Sequence, residues 1–398
     1  MDLAWHTLAA ALAPHQRRLA TPALLLDLDA VDHNIAAMRD RCGADRWRPH
    51  IKTFKSAAVL ERLLHAGITR CKVATLDELD LALETADRLA VAIDVLLAYP
   101  QHPDGLRAAL ARAAASPRAR VQFLLDSPEH AELLTYALPA GPPLRVHLDV
   151  DVGMGRTGAS PAAWAAAALE LARMPGLEVA GLHGYEGHLE WGEQAAAFAI
   201  YDRLCDLARE LTAADLGVVD QHSGPRQLEI VTSGTHSYAL ALAHPGLAGG
   251  PWRHQVSPGT IVLSDLRSHA AAADLGLQQA AYVAARVVSR APGRLTLDAG
   301  SKALAPDRPA SSNRVLGFPG LHPSAASEEH LVVRIDVDDA ADDDEVPALG
   351  DLLLLLPAHV CTTVNLYRRA LLLRDGAVVG ETAIEAASRR LWLTEANS

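Results

Sequence analysis

Short runs rich in valine, isoleucine and leucine alternate with Ala-, Leu- and Arg-rich stretches of helical length through the first two thirds of the chain. That alternation predicts βα units around a parallel sheet. The predicted strands are Pro22–Asp27, Arg46–Ile51, Arg70–Ala74, Ile93–Ala98, Arg120–Leu125, Leu144–Leu148, Val179–His183, Glu229–Thr232 and Val256–Leu263. This is one strand more than a closed (β/α)8 barrel needs. Helix starts fall between them: Thr75 with Glu78 reads as a capping box, and Ser127-Pro128 and Ser160-Pro161 each put a cap residue before a proline at the first helical position. Val31, Ile35 and Met38 give one apolar helical face that Gly43 stops.

After about Asp265 the rhythm changes. Ala281–Ser289, Arg294–Leu297, Leu331–Val337, Asp351–Leu356 and Ala370–Leu373 read as strands separated by turn residues, without helices between them, which predicts a second, mostly β domain. The acidic run Ala341–Glu345 lacks the alternating ligands and glycine of a calcium loop and reads as a solvated turn.

The bulk numbers suit a large metabolic enzyme: 398 residues, 50% hydrophobic, 21% charged, with a formal net charge of -12. No basic cluster relieves that acidity, which argues against nucleic acid as a partner and leaves any anionic ligand to be held locally. Cys42, Cys71, Cys205 and Cys361 are too widely spaced for a secreted disulfide framework, so a reducing cytoplasm is expected. The opening segment is apolar but carries Asp2, lacks a basic flank and is too short to cross a bilayer; no targeting segment and no membrane partner are expected.

Candidate chemistry begins at Arg48–Lys55. On a strand His50 and Lys52 would share one face, at the C-terminal end where barrel enzymes carry their catalytic groups. A lone lysine after a strand is usually a surface residue, but three other segments also follow predicted strands: Arg156 in the glycine-rich turn Gly153–Gly158, Ser233-Gly234-Thr235, and Pro258-Gly259-Thr260. Backbone N–H groups of Gly234 and Thr235 at a helix start, with neighbouring hydroxyls, would seat a phosphate. A lysine, a phosphate cradle and polar ring contacts are what pyridoxal phosphate requires. Near the C-terminus, His359 and Cys361 would point to one side of a strand. Spacing alone reads them as a packed histidine and a buried thiol, although the two residue types suit zinc.

The segments R-P-H-I-K-T-F-K, D-V-G-M-G-R-T-G, G-L-H-G-Y-E-G-H, T-S-G-T, D-A-G-S-K-A-L, S-E-E-H and P-A-H-V-C-T-T-V-N-L occur in an order that resembles the fold-type III pyridoxal-phosphate family of metal-activated D-serine dehydratases and D-threonine aldolases. The resemblance runs from Thr21 to about Tyr367. It implies an alanine racemase-like (β/α)8 barrel over residues 30–265, and a β domain made of residues 1–29 and 266–398 that takes the surplus first strand and carries the metal ligands. It implies that Lys52 is the Schiff-base and catalytic lysine, that Arg156 approaches the ring oxygen of pyridoxal 5'-phosphate and Tyr185 its pyridine nitrogen, and that Ser233, Gly234, Thr235, Gly259 and Thr260 hold the phosphate. His359 and Cys361 would bind a divalent metal, zinc first, with manganese or cobalt as alternatives. A homodimer and a small D-amino acid substrate are implied with them.

The same resemblance divides at the metal motif, where dehydratase-like members carry His-x-Cys and aldolases usually His-x-Asp. The chain therefore leans towards dehydration of D-serine or D-threo-3-hydroxyaspartate to a 2-oxo acid and ammonia. Retro-aldol cleavage to glycine and an aldehyde is the alternative, followed by racemisation and by a non-catalytic cofactor carrier. Phe54 stands where the lysine motif usually has a second histidine, a departure that bears on substrate choice and proton traffic.

Overall fold

A computed structural model of the chain describes residues 3–138, 141–217, 227–336 and 346–387. The acidic run Ala341–Glu345 lies outside the described residues. The chain divides into two compact units, one built from residues 38–52 and 63–259, the other from the stretch up to Ala37 together with residues 53–62 and 260–387.

In the first unit seven parallel strands lie side by side in chain order: β2 (Arg70–Val73), β3 (Ile93–Leu97), β4 (Ala119–Leu125), β5 (Leu144–Val150), β6 (Leu177–Gly184), β7 (Glu229–Thr232) and β8 (Arg253–Val256), with β1 (Ala23–Asp27) belonging elsewhere. The predicted strand Arg46–Ile51 is reduced to two bridges, Trp47 to Val256 and His50 to Lys72, carried by Arg48 N donating to Val256 O and Lys72 N donating to Pro49 O, each at 2.9 Å. Pro49 has no N–H to offer a ladder, and Ile51–Thr53 turns away as a 3-10 helix, so the eighth position of the ring is a seam rather than a full strand. The expected strand Val256–Leu263 also ends early. β8 stops at Val256, Pro258-Gly259 breaks it, and Thr260–Val262 forms a 3-10 turn.

The helices start where their caps predicted. Thr75 Oγ1 accepts from Glu78 N at 3.1 Å, and Ala74 N donates to the Glu78 carboxylate at 2.7 Å. Ser127 accepts from His130 N and Ser160 from Ala163 N, each before a proline at the first helical position. In the helix Leu28–Cys42, Val31, Ile35 and Met38 are buried, and Gly43 ends it at φ 77°.

Polar groups share the inside of this ring with the apolar core. Towards the N-terminal ends of the strands, Arg48 is fully buried and pairs with Asp94 at 2.8 Å and Glu229 at 3.3 Å, while its Nε donates to Gln255 at 2.7 Å. Burial disfavours the Glu229 carboxylate, but hydrogen bonding from His147 and the Arg48 charge outweigh it and hold its pKa far below the usual range.

The second unit is built on a nine-stranded sheet. Its spine runs Leu321–Ala326, Leu331–Ile335, Arg294–Leu297, β9 (Ala281–Ala291), β1, Arg369–Arg374 and Ala377–Ala383; Leu352–Leu356 pairs β9 and the two-residue strand Arg314–Val315. β1 is antiparallel to β9, with Leu25 opposite Tyr282, and parallel to Arg369–Arg374, with Leu25 opposite Leu371. The first strand of the chain thus belongs to the β unit, as the resemblance implied. Alternation along β9 feeds two cores. Val283, Ala285 and Val287 pack with Leu295, Leu331 and Leu353, while Tyr282 and Ala284 pack with Leu25, Leu354 and the helix residues Leu8 and Leu12. Among the described residues no helix is long and apolar enough to cross a membrane.

Candidate active site

The turn that carries Lys52 leaves the seam immediately after His50. The two residues are not on one strand face as predicted, because the chain is already in the 3-10 turn at Ile51. Lys52 is exposed, whereas His50 is only 8% exposed and its Nδ1 accepts from the Lys52 backbone N–H at 3.4 Å. Burial, with the charges of Lys52 and Lys72 added, pushes the His50 pKa well below its ordinary value, so this imidazole is neutral near pH 7.

Behind that turn lies a group the sequence reading did not single out. Lys72 of β2 is 5% exposed, and its Nζ lies 3.3 Å from Nε2 of His183 on β6. His183 Nδ1 is 2.7 Å from Oδ1 of Asp149 on β5, whose Oδ2 accepts from Thr157 Oγ1 at 2.8 Å. Burial disfavours the Asp149 carboxylate, but the hydrogen bonds from His183 and Thr157 outweigh it and keep its pKa low. The ionised carboxylate fixes the tautomer: His183 donates from Nδ1 and accepts from Lys72 at Nε2. Burial first, then the Lys52 charge, brings the Lys72 pKa down to about 7, so a buried amine near its titration point sits under the site.

Arg156 and Tyr185 come together at the ends of β5 and β6. The glycine-rich turn folds onto Asp151, whose Oδ1 accepts from Gly153 N at 2.9 Å and Gly155 N at 3.1 Å, and Gly158 at φ 94° approaches so closely that a Cβ there would lie 2.7 Å from Asp149 O. The turn holds the exposed Arg156 guanidinium 5.4 Å from the centroid of the Tyr185 ring. The next strand end meets the same ring, since a Cβ on Gly234 would be 3.0 Å from Tyr185 Cε2.

That strand end carries the predicted phosphate residues. Ser233 sits at φ 63°, and the helix that follows starts only at Tyr238; Gly234 and Thr235 therefore lie in the preceding turn, not at a helix start as predicted. Ser233 Oγ is buried and has no hydrogen-bond partner among the described residues, and neither has Ser257 Oγ, one residue past β8 and absent from the predicted set. Two buried hydroxyls on neighbouring strands that lack an acceptor are donors waiting for an oxyanion, which fits a phosphate. Gly259 follows two residues beyond Ser257.

In the β unit, His359 is the N-cap residue of the short helix Val360–Val364 and Cys361 lies inside it, not on the strand expected for this motif. Thr260 and Thr53 both belong to this cluster: Thr260 Oγ1 is 3.5 Å and Thr53 Oγ1 3.3 Å from the Cys361 sulfur. Burial opposes the thiolate, but hydrogen bonds from His359, Thr53 and Thr260 outweigh it and lower the Cys361 pKa. His359 in turn rises to about 9, because Cys361 and Asp307 overcome the burial that would lower it. An imidazole and a stabilised thiolate are a donor set that suits zinc. Among the described residues no three His, Cys, Asp or Glu side chains stand together as a metal site. Phe54 is fully buried.

The comparisons with known proteins follow the same two-part division. The alanine racemase N-terminal domain family matches residues 26–219, and the serine dehydratase domain family matches residues 280–373. A D-threonine aldolase from an Arthrobacter species is 30% identical over 371 residues, 91% of either chain. The D-threo-3-hydroxyaspartate dehydratase of Delftia sp. strain HT23 is 28% identical over 87% of this chain and 92% of its own. Among solved structures, the D-threonine aldolase of Filomicrobium marinum has a TM-score of 0.75 at 26% identity, covering 93% of this chain and 96% of that one. With an alanine racemase-like α/β unit, a mostly β unit and relatives matched over nearly their full length, the chain belongs to the fold-type III pyridoxal-phosphate family that includes D-threonine aldolases and D-serine dehydratase-like enzymes.

Proposed function

We propose that this chain is a pyridoxal-phosphate- and metal-dependent lyase of D-3-hydroxy amino acids, and that it dehydrates and deaminates D-serine or D-threo-3-hydroxyaspartate to a 2-oxo acid and ammonia. The observation that carries the choice is Cys361: a half-buried thiol with a lowered pKa, flanked by two threonine hydroxyls, where a carboxylate would mark the aldolase form of the motif. When bound, pyridoxal phosphate supplies an electron sink for charge developing at Cα, and a divalent cation supplies a Lewis acid for the β-hydroxyl.

The chain's own groups then have separate duties. Lys52 would hold the cofactor, and its Nζ would take the α-proton. Neutral His50 adds no competing charge beside it. Ser233 and Ser257 donate to the phosphate, with Gly234 and Thr235 forming the turn around it. Arg156 and Tyr185 face the ring. His359 and Cys361 hold the cation, preferentially zinc.

A second reading rests on the D-threonine aldolase relative, 30% identical over 371 residues. In it the same groups cleave Cα–Cβ and release glycine and an aldehyde. The two readings separate when purified protein, with and without a chelator, is given D-serine, D-threonine and D-threo-3-hydroxyaspartate, and oxo acid and glycine are measured separately. Chelator-sensitive oxo acid is expected. Glycine without oxo acid would establish the aldolase, and neither product from cofactor-loaded protein would overturn both.

A further inference from the structure

We infer that Asp307 is the positioning residue of the metal-binding histidine: its carboxylate decides which ring nitrogen His359 presents to a divalent cation. The inference rests on the proposed metal role of His359 and Cys361, and it assigns the residue that prepares the site. Asp307 Oδ2 lies 2.6 Å from His359 Nδ1, and its other oxygen accepts from Thr362 Oγ1 at 2.6 Å. A carboxylate so placed makes Nδ1 the protonated nitrogen and leaves the Nε2 lone pair for a metal. Asp307 is not itself a ligand of the same ion, because it sits on the Nδ1 side of the ring, across from Nε2. The nearby Arg308 Nε, 3.5 Å from the same Oδ2, adds a weak ion pair on the solvent side.

The backbone supports the same assignment. Thr363 Oγ1 donates to His359 O at 2.9 Å and accepts from Ala305 N at 3.0 Å, so one hydroxyl ties the loop carrying Asp307 to the turn carrying His359. The sulfur partner is prepared in parallel by the hydroxyls of Thr53 and Thr260. Each ligand thus has its own outer partner, a carboxylate for the imidazole and hydroxyls for the thiolate. Such outer partners orient ligands and raise the basicity of an imidazole.

The test is binding of Co2+ to full-length protein, read by its thiolate-to-cobalt absorption and by competition with a chelator. Asp307→Ala is expected to weaken Co2+ by about 10- to 100-fold, the usual cost of losing such a partner. Asp307→Asn, which still accepts a hydrogen bond at its amide oxygen but lacks the charge, is expected to lose less. Cofactor absorbance should be unchanged in both, which a general loss of folding would not allow. Should Asp307→Ala prove unfolded, Asp307→Asn and Thr362→Ala carry the test, each expected to weaken Co2+ measurably. Equal affinity in wild type and the folded variants would overturn the inference while leaving the metal reading intact. A wild type without the thiolate-to-cobalt band would overturn the metal reading, and the inference with it.

Discussion

Lys72 shows how a single residue can carry chemistry that its neighbours in sequence conceal. In Arg70-Cys71-Lys72-Val73 it looks like the solvent-facing member of an alternating strand. Only the ring of strands turns that face inward, onto His183 and Asp149. Its folded pKa near 7 lies below the ordinary 10.5, so the folded state binds fewer protons than the unfolded chain between those values. Wild-type stability therefore rises with pH through that window. Cofactor-free protein unfolded in urea should gain about 3 kcal/mol more between pH 7 and 9.5 than Lys72→Met, which has no amine to titrate. Equal slopes for the two proteins would refute the assignment. Lys52, Arg156, Ser233, His359 and Cys361 drew attention in the sequence because each stands in an ordered motif. Lys72, Ser257 and Asp307 did not, because what distinguishes them is an amine buried against His183, an unpartnered hydroxyl and a carboxylate brought in from a distant loop.

Among the elements, capped helices and apolar inner strands were readable, and the strands at the ends of the β sheet were not. Thr75, Ser127 and Ser160 announce their helices because the cap hydrogen bond is local. The strands Leu321–Ala326 and Ala377–Ala383 escaped notice because they are the two ends of the sheet's spine, where one side needs no apolar partner and a proline such as Pro323 is tolerated. Val360–Val364, rich in β-branched residues, has the composition of a strand, yet forms one helical turn held by Thr363 on the His359 carbonyl. The glycine-rich turn is the element on which the ring contacts depend. Gly158→Ala puts a Cβ against the Asp149 backbone at a left-handed φ, and should cost about 1–3 kcal/mol of stability. Thermal unfolding would show it, and on the proposed role of Arg156 cofactor retention would weaken with it. A variant as stable as wild type would mean that the turn can relax without cost.

Over the whole molecule, the α/β-then-β order was visible in the rhythm of the sequence, as was the return of the first strand to the second unit through the family resemblance. The charged interior of the ring was not visible, since Arg48, Asp94 and Glu229 read as ordinary surface charges until the strands close around them. Arg48→Met would take the buried guanidinium from the buried Glu229 and the half-buried Asp94, leaving them the partly exposed Arg253 and Arg120 at 3.4 and 3.9 Å, at a cost of about 3 kcal/mol. The pH dependence has a definite sign. The depressed pKa of Glu229 stabilises the fold above its unfolded value and that contribution fades as acid is added, so wild type should lose stability on going from pH 7 to 3. Arg48→Met should start lower and fall less steeply; chemical denaturation at the two pH values measures both.

The seam at Trp47–His50 gives the barrel a clasp. Every other junction in the ring is laced by consecutive rungs, whereas this segment is fastened by one bridge on each side, at Val256 and at Lys72. Thermal breathing should begin where the lacing is thinnest, and the Lys52 amine, proposed to carry the cofactor, hangs two residues past that buckle. On the proposed role of Lys52, the covalent hook stands beside the part of the wall that gives most easily, where a cofactor would be admitted without unlacing the rest.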